Sequence, residues 1–572
     1  MRAPRSAALG VLSVLSGLTL VASVAGCGRA DPADLILHNA RVYTVNNASP
    51  TASAIAIRAD RIALVGDDRA ALRLRGDETR VVDARGMTIV PGLHDAHGHV
   101  TGLGERLQIL DLRDTTSYDQ VVERVRERAR SVSSGEWILG RGWDQNDWPA
   151  QEWPSHGALS AVSPDHPVYL TRIDGHAGLA NARAMAIAGV TRATPDPAGG
   201  RILRDASGAP LGVFVDNAED LITAHIPATS AAGRDERIRL ADEEMRRLGL
   251  TMVHDAGASQ DTIEAYRRLA DAGAIRTRLY VMRSGSSLRE LMPLLEQGPI
   301  ADDTHRLVVR AVKIYADGAL GSRGAALLEP YADEPGTMGL PRMRSEEMYA
   351  MVAAATRAGY QPAVHAIGDG GNRMVLDVFE RVQREIPGSR GLRMRLEHAQ
   401  ILDARDIPRF ADLNVIASMQ PTHATSDMPW VPARLGTARM EEGAYVWRRL
   451  LDAGATIAAG SDFPVEEANP MLGFYAAVTR QDLSGNPPGG WMPRERLTRE
   501  QALRAFTLDA AYAAHAEQLL GSLEEGKLAD FVMLSRDIMA IPPEQIPATE
   551  VMMTVVGGEI VFEREPERLA PR

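Results

Sequence analysis

The sequence predicts an α/β protein: a (β/α)8 TIM barrel with a small β-sandwich domain built from both chain ends and a large insertion after the first barrel strand. Three observations predict it. Eight strand-like runs recur between residues 87 and 465, most of them separated by helical patterns such as "SEEMYAMVAAATRAG" and "NRMVLDVFERVQREI". Short period-two segments stand near both termini. Roughly 150 residues separate His99 from Thr251, far more than one crossover needs.

In chain order, residues 1–26 read as an address. "MRAPR" is a positive n-region and "SAALGVLSVLSGLTLVASVAG" an apolar stretch of signal-peptide length. It runs into "VAGC", which resembles the lipobox of bacterial lipoproteins, and Cys27, the single cysteine of the chain, is the expected lipidation site. An ordinary secretory signal with an incidental cysteine is the alternative. A lipidated Cys27, followed by Gly28, implies an extracytoplasmic, membrane-anchored protein, on the periplasmic face or the cell surface. Residues 27–88 and 522–572 form the expected β-sandwich. It comprises "LILHNARVYTV", "ASAIAIRADRIALVGD" and "TRVVDARGMTIV" at one end, "GKLADFVMLS" and "VMMTVVGGEIVFE" at the other. Two unrelated β-caps are the alternative.

Residues 89–521 form the expected barrel. Its strands begin near Met87, Thr251, Arg276, Leu307, Gln361, Leu392, Asn414 and Thr456. An open doubly wound sheet is the competing architecture, but no glycine-rich phosphate fingerprint follows the first strand. The insertion, about residues 100–248, holds four of the seven tryptophans: Trp137, Trp143, Trp148 and Trp153. They suit either a local core or a substrate wall. With 572 residues and 45% hydrophobic composition the chain buries a large core, and with a net charge of −12 and no basic stripe it is not expected to bind nucleic acid.

In a (β/α)8 barrel the chemistry sits at the C-terminal ends of the strands. The first strand ends "GLHDAHGH", and His97 and His99, two apart, share one face of an extended segment. His365 ends the fifth run, His398 the sixth and Asp462 the eighth, while Lys313 lies in the fourth. Any one of these histidines is unremarkable; four histidines and an aspartate, each at a strand end, point to a metal. Imidazole with carboxylate favours zinc or a similar divalent ion, one or two of them. Such an ion acidifies water and polarises a carbonyl, and Asp462 is placed to be the general base.

The ordered set "DAHGH", "VKIYADG", "VHAIGD", "RLEHAQ" and "GSDFPV" resembles the amidohydrolase superfamily, specifically its amidohydrolase-3 branch of formamide-deformylase-like metal-dependent hydrolases. The resemblance covers nearly the whole mature chain. It implies hydrolysis of amide or other non-peptide C–N bonds of a small N-acyl, N-formyl or cyclic amide. Deamination or ester/lactone hydrolysis on the same centre is the alternative, and a non-catalytic binding lipoprotein a more distant one. It makes His97, His99, Lys313, His365, His398 and Asp462 the metal ligands, with Asp462 also the base, and it allows a homodimer. Lys313 and Lys527 are the only lysines among 63 basic residues. The resemblance gives Lys313 the role of a CO2-carboxylated bridge, which a permanently charged arginine cannot fill. Packing of its stem with a pair to Asp317 is the structural alternative. Around the pocket the resemblance places Arg172, Asp174 and His176, and Trp143, Asp144, Gln420 and His423 are further substrate-binding candidates. His254, Asp255, Asp369 and Glu397 are expected to orient neighbouring groups.

Overall fold

A computed structural model describes residues 31–565 apart from 146–147, 151, 173–176, 198–199, 217, 286, 303 and 322. Cys27, Asp174 and His176 lie outside the described residues.

Eight parallel strands form a nearly closed barrel: β1 (Leu93–Gly98), β2 (Leu250–Ala258), β3 (Arg278–Ser284), β4 (Leu307–Tyr315), β5 (Gln361–Ala366), β6 (Arg395–His398), β7 (Ile416–Met419) and β8 (Thr456–Ala459). They pair in sequence order, so each neighbour is the next strand along the chain. Alternation sorts their side chains. Val253, Val281, Val312, Val364 and Leu396 face the helices in the main core, while Met252, Ala256, Tyr280, Met282, Ala311 and Ala363 pack inside the barrel. The helix Leu508–Ala513 closes the N-terminal end, where Ala510 and Ala513 pack against Ala96, Ile416 and Ala458.

Between β8 and β1 there is no strand ladder. The gap is joined by the loop after β8: Asp462 N–H donates to His97 O at 2.7 Å and His99 N–H to Phe463 O at 2.8 Å. Ser461 donates to the Asp95 carboxylate through its hydroxyl at 2.6 Å.

The expected first run from Met87 is two strands. Thr88–Pro91 pairs antiparallel with Phe531–Leu534, and only Leu93–Gly98 enters the barrel. The chain turns at Gly92, where a Cβ would stand 2.1 Å from Thr251 Oγ1, so only glycine leaves room for the Thr251 side chain.

Both termini supply strands to one six-stranded sheet, with Glu559–Glu563, Val551–Val556 and Phe531–Leu534 beside Thr88–Pro91, Arg41–Tyr43 and Thr51–Ala52. A four-stranded sheet from residues 35–83 shares an apolar cluster with it, built on Leu35, Ile55, Ile57, Phe531 and Val555. Residues 110–216 carry a separate six-stranded sheet with its own core around Trp143, Trp148, Leu170 and Leu179. No helix among the described residues is long and apolar enough to cross a membrane.

Candidate metal centre

The C-terminal ends of β1, β4, β5 and β6 and the loop after β8 converge on one cavity of about 380 Å³. His97, His99, Lys313, His365, His398, His423 and Asp462 all line it. Ligand atoms of His97, His398 and Asp462 lie within 4.8 Å of one another. His99 Nε2 is 3.1 Å from Asp462 Oδ1, and Lys313 Nζ is 3.0 Å from His97 Nε2. His365 stacks edge-on against His398 with ring centroids 4.5 Å apart, and its buried Nε2 has no hydrogen-bond partner among the described residues.

Hydrogen bonds assign the faces of the rings. His97 Nδ1–H donates to Glu397 Oε2 at 2.5 Å, and His398 Nδ1–H to Gln420 Oε1 at 2.8 Å. Each ring therefore presents a bare Nε2 lone pair, as a metal ligand must. His423 has the opposite arrangement: Gln400 Nε2–H donates to its Nδ1 at 3.1 Å, which leaves the proton on Nε2, 3.7 Å from Asp462 Oδ2. His398 and Asp462 both adopt the left-handed backbone, at φ 77° and 62°. Non-glycine residues in that region cost of order 1–3 kcal/mol and cluster at functional sites.

Burial sets the charges. It pushes the His97 imidazole down to about 4, assisted by Lys313, so the ring is neutral at physiological pH. Burial also draws Lys313 down to about 8. Burial opposes the ionised forms of Glu397 and Asp462, yet both are held well below the usual carboxylate range. Arg395 and His97 do this for Glu397; His99, His97, His398 and His423 do it for Asp462.

Beneath the ligands lies a buried polar layer. Arg395 donates to Glu397 Oε1 at 2.7 Å, to Ala96 O at 2.7 Å, to Ser418 Oγ at 2.9 Å and to His254 Nδ1 at 2.8 Å. It fixes Glu397, and Glu397 fixes His97. Asp255 accepts Tyr266 O–H at 2.7 Å and Val100 N–H at 3.1 Å, tying β2 to the loop after β1.

The pairing of Lys313 with Asp317 does not form. Asp317 accepts backbone N–H groups of Ala326, Ile367 and Gly368 at 2.9–3.0 Å, which orders the loop beside His365. Among the described residues, the hydrogen-bond partner of Lys313 Nζ is an imidazole nitrogen, not a carboxylate. A buried amine in that setting suits the neutral form.

Among the described insertion residues, Trp143, Asp144 and Arg172 are not in the lining of this cavity. Trp143 is fully buried in the insertion's own core and donates Nε1–H to Leu170 O at 2.7 Å. Arg172 pairs with Asp144 and donates Nε–H to Gln145 Oε1 at 2.9 Å. Asp369 accepts Leu328 N–H at 2.9 Å and holds a loop rather than a histidine. Gln420 follows β7 directly with extended backbone, whereas His423 lies in the helix Pro421–Asp427, which Pro421 starts at the first helical position. Gln400, the last residue of "RLEHAQ", also lines the cavity, as do Asp427, Trp430 and Glu466, which carry no motif that singles them out in the sequence.

The amidohydrolase family model matches residues 80–562. The protein LONG AFTER FAR-RED 3 of Arabidopsis thaliana is 36% identical over 93% of this chain and 92% of its own length. The N-substituted formamide deformylase of Arthrobacter pascens is 28% identical over 93% of this chain and 98% of its own length. Among solved structures, an uncharacterized metal-dependent hydrolase from Pyrococcus furiosus superposes with a TM-score of 0.73 at 28% identity, covering 88% of this chain and all of that one.

Proposed function

Because the chain belongs to the amidohydrolase family, we propose that it is a metal-dependent hydrolase of a small N-acyl, N-formyl or cyclic amide, cleaving a C–N bond other than a peptide bond. The observation that carries the reading is the donor set at the strand ends. Two neutral imidazoles present bare Nε2 atoms beside the ionised Asp462, and a buried amine stands 3.0 Å from one of them. These residues fit a divalent ion, with zinc the best match to imidazole and carboxylate donors. When bound, such an ion supplies the Lewis acidity that polarises a carbonyl and acidifies water.

The chain's own residues do the rest. His97, His99, His365, His398 and Asp462 are the proposed ligands. Asp462 accepts the water proton on a carboxylate oxygen and returns it to the departing nitrogen, as a general base and then acid. Lys313 is proposed to bind CO2: its Nζ lone pair forms an N–C bond as one C–O π bond opens, one proton leaves, and the resulting carbamate would offer anionic oxygens to hold a divalent ion. The His423 N–H, 3.7 Å from Asp462 Oδ2 in the lining of the cavity, is the proposed donor to a substrate oxygen. Lipidation at Cys27 would place this chemistry outside the cytoplasm, at a membrane surface.

Metal analysis of the purified protein, with a hydrolysis screen over formamides, N-acyl compounds and lactones, tests the reading. Chelation should abolish turnover and zinc should restore it. Metal-independent turnover, or ligand binding without turnover at full metal occupancy, would refute it.

A further inference from the structure

Of the residues lining the metal cavity, the histidines, Lys313 and Asp462 belong to the inner end. Two further carboxylates, Asp427 and Glu466, line it as well, together with the Trp430 ring. Many carboxylates of this chain have a guanidinium beside them, as Asp530 has Arg278 and Asp333 has Arg434. Asp427 instead accepts the Tyr445 hydroxyl, and Glu466 the Ser426 hydroxyl at 2.6 Å. No arginine lines the cavity among the described residues. Arg434, near Trp430, is committed to Gly321 O and Asp333, and Arg342 lies over the Tyr315 ring at 5.3 Å.

An independent feature points to a ligand at this wall. His423 is buried, lines the cavity, and its Nε2 has no hydrogen-bond partner among the described residues. His423 and Asp427 are four apart on the helix Pro421–Asp427, so they stack on one face, with Cβ atoms about 6 Å apart. An oxygen acceptor belongs at the first position and a cation at the second. Trp430 adds an aromatic wall whose ring already takes one cation, the Arg434 guanidinium 5.8 Å from its centroid.

Resting on the hydrolase reading, we propose that the site selects a cationic substrate: a small amide whose carbonyl oxygen takes the His423 N–H and whose ammonium group sits against Asp427, Glu466 and Trp430. N-acyl amino acids are disfavoured, because their carboxylate would face these two acids.

Two matched series test this on the metal-loaded protein. One carries the charge on the amine side: N-(3-aminopropyl)acetamide, neutral N-butylacetamide and anionic N-acetyl-β-alanine. The other carries it on the acyl side: N-methyl-4-aminobutanamide and neutral N-methylpentanamide. In at least one series the cation should exceed the neutral isostere in kcat/KM by about tenfold or more, and the anion should be the poorest. The Asp427→Asn, Glu466→Gln double variant, which keeps acceptors for Tyr445 and Ser426, should bring the cation-to-neutral ratio to within about twofold of one. Equal or better turnover of the neutral isosteres in both series, or a ratio unchanged in the variant, would overturn the proposal and leave the hydrolase reading intact. Calorimetry with propane-1,3-diamine separates the two ideas. If no amide is cleaved but the diamine binds wild type and not the variant, the hydrolase reading fails and the cation site stands.

Discussion

Lys313 shows how much one residue choice constrains. Its stem lies in β4 inside the barrel, its Nζ meets His97, and no carboxylate neutralises it directly. For mere packing or pairing, arginine would serve, and this chain uses arginine almost everywhere else. What arginine cannot do is give up its proton. Burial already draws the amine down to about 8, so a sizeable neutral fraction exists near physiological pH. Lys313→Arg should therefore fold, yet lose about half of its bound metal and at least about 100-fold in kcat/KM, since the proposed bridging ligand would be removed outright. Elemental analysis beside a urea unfolding curve checks this. Wild-type metal content and activity in the variant would end the bridging role.

At the scale of elements, the metal centre depends on a join that is not a sheet. β8 and β1 meet through Ser461, Asp462 and Phe463, whose backbone and side chains bond to Asp95, His97 and His99. The same three-residue stretch therefore closes the barrel and carries Asp462, the proposed general base. Gly460 makes the approach possible: a Cβ there would lie 2.5 Å from Asp95 Oδ1 and 2.6 Å from His97 N. Gly460→Ala should push the two strands apart, costing about 1–3 kcal/mol of stability. It should weaken metal binding as well, because His97 and Asp462 separate. Unfolding by urea and metal titration read the two effects. A variant with unchanged metal affinity would mean that the join does not position the ligands. The barrel elements and their ends were legible because apolar strand runs terminate in polar residues, so His97, His365, His398 and Asp462 stand out against valine and alanine. The pocket wall was not. Asp427, Trp430 and Glu466 sit on helices and loops, where charged residues are ordinary, and only the returning chain brings them to the cavity. Glu397 was legible because it adjoins His398 in the motif, but Arg395 was not: nothing in an apolar strand says that its guanidinium reaches Ala96 and Ser418 across the barrel.

For the molecule as a whole, the barrel interior holds buried polar groups among apolar ones, and some of them lie away from the candidate metal centre. His94, near the closed end, is fully buried, and neither ring nitrogen has a hydrogen-bond partner among the described residues. Burial pushes its imidazole down to about 4, with Asp530 opposing and Arg278 assisting. The sign of the consequence follows from linkage. A histidine with a lowered folded value contributes no penalty above 6.5, where both states are neutral. Between 6.5 and about 4 the unfolded chain takes up a proton that the folded chain refuses, so stability falls as pH falls. At pH 5 this amounts to about 2 kcal/mol for His94 alone. Buried carboxyls act the other way: burial raises Asp95 to about 7 and Asp317 and Asp509 to about 6, so the folded state gains protons as pH drops. The total slope therefore mixes opposing contributions, and the variant isolates one. In His94→Leu, a side chain of similar size with nothing to protonate, the loss of stability from pH 7.5 to pH 5 should be smaller than in wild type by about 2 kcal/mol. The variant should also match or exceed wild type at pH 7.5, because two unsatisfied buried nitrogens are removed. Urea unfolding of both proteins at the two pH values measures the difference directly. Parallel pH dependence in the two proteins would show that His94 is protonated or solvated in the folded barrel, and that its surroundings are wetter than their packing implies.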